Sequence, residues 1–147
     1  MIKAREATKL TGMVSLADDS GICVDLLGGS PGIYSADWAI MSDGTRDFSY
    51  ATKKLVKEIE KTNSSKPFTA YFICSLILYW PDNHFEKFEG KIYGEIILPG
   101  RGEKGHGYDP VFLPNGYKET FGQMDRWKKN KISHRGLAMD NLLNACF

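Results

Sequence analysis

The apolar positions of this chain change period several times, and each change marks an element. Ala4, Ala7 and Leu10 recur at helical spacing and predict a helix from Ile2 to Leu10, stopped by Gly12. Val14 to Ala17 and Ile22 to Asp25 predict two short strands, separated by a turn at Asp18-Asp19-Ser20-Gly21. Gly28 to Gly32 is a glycine-proline loop. Phe48, Ala51, Leu55 and Ile59 return to helical spacing, with Asp47 as the N-cap. Lys61 to Pro67 is a polar connector, and Thr69 to Trp80 is then almost continuously apolar and aromatic. Such a run predicts a central strand buried on both faces. Pro81-Asp82-Asn83 turns the chain, and Phe85 to Ile97 returns as a second long strand in an antiparallel hairpin. Leu98 to Gly107 is a glycine-rich loop. From Ser133 onward a last helix is expected, with Ala138, Leu142 and Cys146 on one side. These elements predict an α/β fold: a mixed β-sheet with a long antiparallel hairpin and flanking helices.

Composition narrows the function classes. At 147 residues, with no repeat or dividing linker, residues 1–147 are expected to form a single domain. A net charge of +1 argues against bulk nucleic acid or an anionic membrane as partner, so any anion recognition must be local. It also disfavours an RNA-binding module built on Lys128 to Arg135. The longest apolar run, Tyr71 to Trp80, is too short to span a bilayer. Three cysteines (Cys23, Cys74, Cys146) without CxxC spacing point to reduced thiols and a cytoplasmic location. Each lies among apolar neighbours, which favours packing over chemistry.

Three clusters could carry chemistry. Asp18 and Asp19 follow a short apolar run, and paired acids there suit a hard cation such as Mg²⁺. The local rival is a turn, which Asp, Ser and Gly also favour. In Gly105-His106-Gly107-Tyr108-Asp109 the glycines let backbone approach a ligand, an aromatic ring can stack on a base, and Asp109 can accept from a purine edge. The rival is a loop with Tyr108 packed on the core. Finally, Lys129, Ser133, His134 and Arg135 place cations beside a helix start, an anion site. The rival is a solvated basic patch, the expected role of Lys128 and Lys131.

Taken in order, Asp18-Asp19-Ser20-Gly21, Gly28-Gly29-Ser30-Pro31-Gly32-Ile33-Tyr34-Ser35-Ala36, Lys104-Gly105-His106-Gly107-Tyr108-Asp109-Pro110-Val111-Phe112, Thr120-Phe121-Gly122-Gln123-Met124 and Lys129-Asn130-Lys131-Ile132-Ser133-His134-Arg135 resemble the inosine/xanthosine triphosphate pyrophosphatase family. The resemblance covers nearly the whole chain. It implies hydrolysis of ITP, dITP and XTP to monophosphate and pyrophosphate, with Mg²⁺ as cofactor, purine nucleoside triphosphates as partners and a homodimeric assembly. It implies that Asp19 is the metal-associated catalytic base, with Asp18 in support of the metal site. Ser20, His106, Gly107, Tyr108, Asp109, Lys129, His134 and Arg135 are implied to bind substrate. His134 and Arg135 are chemically suited to pair with a 6-oxo group and to disfavour a 6-amino group.

The chain departs from the family pattern in four places. His106 stands where relatives usually have Phe, and Gln123 where they commonly have Glu. The family's opening strand with its Thr/Ser-Gly-Asn…Lys phosphate loop is missing, as is the Glu-rich segment that follows. The expectation is therefore an N-terminally truncated form of the domain. The rival to an enzyme is a catalytically impaired member that retains nucleotide binding or only the fold.

Overall fold

The structure is a computed structural model that describes residues Met1–Phe147. Its elements in chain order are α1 (Ile2–Thr11), β1 (Ser15–Val24), α2 (Phe48–Lys61), β2 (Phe68–Tyr79), β3 (Phe85–Ile96), β4 (Phe112–Pro114), α3 (Arg126–Ile132) and α4 (His134–Cys146). The strands lie side by side in the order β1-β2-β3-β4. Asp47 caps α2 as the sequence predicts, its carboxylate accepting from the Ser49 amide at 2.8 Å. Ser133 caps α4 through the Gly136 amide at 3.1 Å.

Two expectations are corrected. The sheet is not mixed: all three strand pairs are antiparallel. Neighbours in the sheet are also neighbours in the chain, and the direction reverses at each connection, so no parallel pair forms. Nor do Asp18-Asp19-Ser20-Gly21 form a turn between two strands. They lie in the middle of β1, in continuous register with β2, Asp18 opposite Leu76 and Asp19 opposite Ser75. The ladder to a long interior strand pairs the β2-facing backbone groups from Ser15 to Val24, and it outweighs the local turn preference of Asp, Ser and Gly.

The alternation of β2 sorts the molecule into two sides. Phe68, Ala70, Phe72, Cys74 and Leu76 are buried on one face. There Phe72 joins the main core with Ile22, Leu55, Phe112 and Phe121, while Cys74 and Leu76 pack on Ala138 and Leu142 of α4. On the other face only Ile77 and Tyr79 are buried, where Ala4 of α1 covers them. Tyr71 and Ile73 are half-buried, so β2 is covered on both faces over part of its length rather than throughout.

One close approach fixes where α4 begins. Gly90 of β3 lies beneath its first turns; a Cβ there would overlap the His134 carbonyl and the Ala138 amide, and would stand 2.9 Å from Leu137 Cβ. Only glycine lets backbone meet backbone this closely. Gly90→Ala should therefore force α4 outward and lower stability by about 1–3 kcal/mol, the usual range for overpacking. Urea unfolding of parent and variant measures this, and an unchanged midpoint would show that α4 moves freely over β3.

Candidate active site

A cavity of about 330 Å³ opens beside β1, lined by residues that lie far apart in the chain. Asp18, Asp19 and Ser20 come from the edge strand, and His106, Gly107, Tyr108 and Asp109 from one loop. Lys129, His134 and Arg135 come from the α3–α4 corner. All nine residues named from the sequence thus border one space, with Asp18 beside them.

Each wall has an identifiable support. Tyr108 is buried, and its hydroxyl donates to the Ser35 carbonyl at 2.7 Å. Burial pushes its phenol up from the usual value. Tyr108 is therefore a packed strut, and the ring left free to stack in this loop is His106, which is exposed and meets Phe48 edge-on at 4.9 Å. The Ser35 hydroxyl accepts from the Ile22 amide at 2.9 Å and donates to the Gly32 carbonyl at 2.6 Å, tying the Gly32–Ser35 segment to β1. Asp109 is buried, with a side chain 3% exposed; it accepts from the His106 amide at 2.6 Å and pairs with Lys129. Gln123 accepts from the Thr120 amide at 3.0 Å, a local bond within its own turn.

Asp18 and Asp19 take opposite sides. The Asp18 carboxylate receives Arg135 through two bonds, Nε at 2.6 Å and Nη2 at 3.2 Å, and the Cys74 thiol lies 3.8 Å away. The two-pronged bond holds the guanidinium plane and keeps the Arg135 charge fixed, raising its pKa. Asp18 is thus engaged with a cation instead of a neighbouring acid. Burial chiefly raises the Cys74 thiol, which leaves it a packed, protonated group. Asp19, one residue on, points to the α1 side. It is 71% exposed, and its nearest cation is Lys3 at 3.8 Å.

His134 is buried and stacks on Phe72, with ring centres 4.7 Å apart and planes 11° from parallel. Its Nδ1 is a buried side-chain nitrogen without a hydrogen-bond partner. Burial lowers its pKa to about 4, helped by the charges of Arg135 and Lys129. The imidazole is therefore neutral near pH 7, with one nitrogen free to accept.

Sequence reasoning missed three contributors. Lys3 faces Asp19 only because α1 packs on β1 and β2. Phe48 has helical core spacing yet also braces His106 and Tyr108. The run Arg126–Ile132 forms a helix that the sequence reading did not assign, and Asp125, which accepts from the Lys128 amide at 2.9 Å, was its readable start signal.

The Ham1 family model matches residues 1–145. The dITP/XTP pyrophosphatase of Ruegeria pomeroyi is 49% identical over 146 residues, which span 99% of this chain and 71% of that protein. The enzyme of the same name from Zymomonas mobilis is 46% identical over 145 residues, 99% of this chain and 68% of its own length. Among solved structures, a HAM1 protein from Coxiella burnetii superposes with a TM-score of 0.89 at 34% identity, covering 98% of this chain and 72% of that one.

The buried His134 gives stability a pH signature. Its folded pKa lies below the ordinary value of 6.5, so the unfolded chain takes up the proton first. The His134 contribution should be intact above about pH 6.5 and should be lost as pH falls toward about 4. Urea midpoints across that window should fall more steeply for the parent than for His134→Phe, which keeps the ring stacking but cannot titrate. Parallel declines would mean that His134 carries a proton in the fold.

Proposed function

The chain belongs to the Ham1 family, and from that premise we propose that it hydrolyses the non-standard purine nucleotides ITP, dITP and XTP to monophosphate and pyrophosphate, clearing them from the nucleotide pool. The observation that carries this reading is the single cavity that gathers a stacking ring, a buried acid, two oriented cations and a neutral imidazole beside Asp19. Residues 1–147 act as one catalytic domain, in the cytoplasm and as a homodimer.

The base lies against His106. Lys129 and Arg135, held by Asp109 and Asp18, turn N–H donors toward its edge. Both side chains only donate, so a 6-oxo group completes a bond where a 6-amino group would set donor against donor. A 6-amino base would forgo that bond and so bind more weakly. Neutral His134 adds an acceptor that does not compete for the phosphates.

No cluster of three or more metal-ligating side chains gathers anywhere in the chain, and Asp18 is committed to Arg135. Asp19 is a single exposed carboxylate, which fits Mg²⁺ arriving with the triphosphate, since that ion usually takes one or two carboxylates plus substrate phosphates and waters. When bound, such an ion supplies charge neutralisation at the phosphates. Asp19 accepts the proton of the water that attacks the α-phosphorus; the bond from that phosphorus to the bridging oxygen breaks, and pyrophosphate leaves. Lys3 adds a positive charge on the same side of the strand.

With Mg²⁺ present, ITP should yield pyrophosphate, with ATP, whose 6-amino group sets donor against donor, a poor substrate. A coupled assay that distinguishes pyrophosphate from orthophosphate tests this, and release of orthophosphate would place the attack elsewhere. The same assay separates an enzyme from a non-catalytic module. Asp19→Asn should abolish turnover while leaving the unfolding midpoint near the parent's, because the side chain is exposed.

His106→Phe should tighten binding of inosine nucleotides. A base on an aromatic ring gains about 1–3 kcal/mol, and Phe is less strongly hydrated than His. An unchanged dissociation constant by calorimetry would show that His106 does not touch the base.

A further inference from the structure

Three cations line the nucleotide cavity: Arg46, Lys129 and Arg135. Two are already neutralised, Lys129 by Asp109 and Arg135 by Asp18. A matched pair keeps its N–H directions but offers little net field to an incoming anion. Asp19 adds a third acid to the lining, so this space attracts phosphate only through a cation that has no acid of its own. Arg46 is that cation: it makes no ion pair and no side-chain hydrogen bond, whereas each of the other two makes both.

Its backbone is also held in place. Ile40 and Arg46 form an isolated antiparallel bridge. The Met41 amide donates to the Thr45 carbonyl at 2.7 Å, and the Asp47 amide to the Ala39 carbonyl at 2.7 Å. Asp43 closes the tip, accepting from the Thr45 amide at 2.9 Å and its hydroxyl at 2.6 Å. A stapled hairpin thus delivers an unpaired guanidinium to the cavity mouth, two residues before the Phe48 ring that braces His106. Ordering of the backbone is complete before any ligand arrives, which limits the entropy lost on binding.

We propose that Arg46 binds the phosphate chain of the nucleotide, dividing the cavity's work so that the paired cations read the base and the unpaired one holds the charge. This inference rests on the nucleotide reading above. Guanidinium geometry suits two phosphate oxygens at once, which a lysine at this position would match only as a point charge.

The test is calorimetric affinity for inosine, IMP and ITP, measured for the parent, Arg46→Gln, Arg46→Lys and the charge control Lys57→Gln on the exposed face of α2. Arg46→Gln should weaken ITP by about tenfold, the scale of one charge-assisted hydrogen bond. It should weaken IMP less and leave inosine unchanged. Arg46→Lys should recover part of the loss, and Lys57→Gln should stay within about twofold of the parent for all three ligands. An equal loss for inosine would assign Arg46 to the base or the fold, and an unchanged ITP affinity would remove it from the site; either result overturns the proposal. If the parent releases pyrophosphate from ITP while Arg46→Gln binds as the parent does, the catalytic reading stands and this inference alone falls. If the parent binds none of the three ligands, both fall together.

Discussion

Successive side chains of an extended strand point to opposite faces, and that two-residue period in β1 governs the rest of the site. Asp18 and Asp19 are neighbours in sequence but lie on opposite faces of the sheet. The even positions, Asp18, Ser20 and Ile22, share the face of Cys74 and Phe72, where α4 delivers Arg135 and His134. The odd position, Asp19, shares the face of Ser75 and Ile77, where α1 delivers Lys3. A shift of register by one residue would exchange the two acids and separate each from its cation. Because β1 is the edge of the sheet, both faces remain reachable from one cleft.

Much of the fold was legible in the sequence, because β2 is a nearly continuous apolar run, α2 is strongly amphipathic, and α4 is announced by its Ser133 cap and the spacing of Ala138 and Leu142. β1 was not. Asp-Asp-Ser-Gly carries every local mark of a turn, and only pairing with a strand distant in sequence makes it extended. The distribution of site residues shows the same divide. Lys129, His134 and Arg135 sit in a short recognisable run, as do His106 to Asp109. Lys3 and Arg46 carry no sequence mark at all: an isolated lysine on a polar helix face and an isolated arginine in a polar loop. Their positions follow from how α1 lies on the sheet and how a small hairpin closes, facts that reside in tertiary contacts. Tyr108 is the reverse case: the sequence allowed either a stacking or a packing role, and its burial and its bond to the Ser35 carbonyl favour packing.

Electrostatics in the cleft is arranged by pairing more than by accumulation. Asp18 with Arg135 and Asp109 with Lys129 cancel charge while fixing direction. The exposed Asp18–Arg135 pair adds little stability of its own; under the proposed reading, both pairs serve by holding donors already aimed, which need not reorganise around a base. His134 belongs to the same scheme. Held neutral by burial, it offers polarity without charge.

Ser35 joins β1, the Gly32 carbonyl and the Tyr108 hydroxyl through one residue. Two loops distant in sequence are therefore fastened to the same pin. Displacing Ser35 itself would break both sets of bonds, taking these partners from the Ile22 amide and the Tyr108 hydroxyl at once. Loosening Ser35 would therefore loosen the floor beside Ile22 and the loop that carries His106 together, so two walls of the cavity share one local stability.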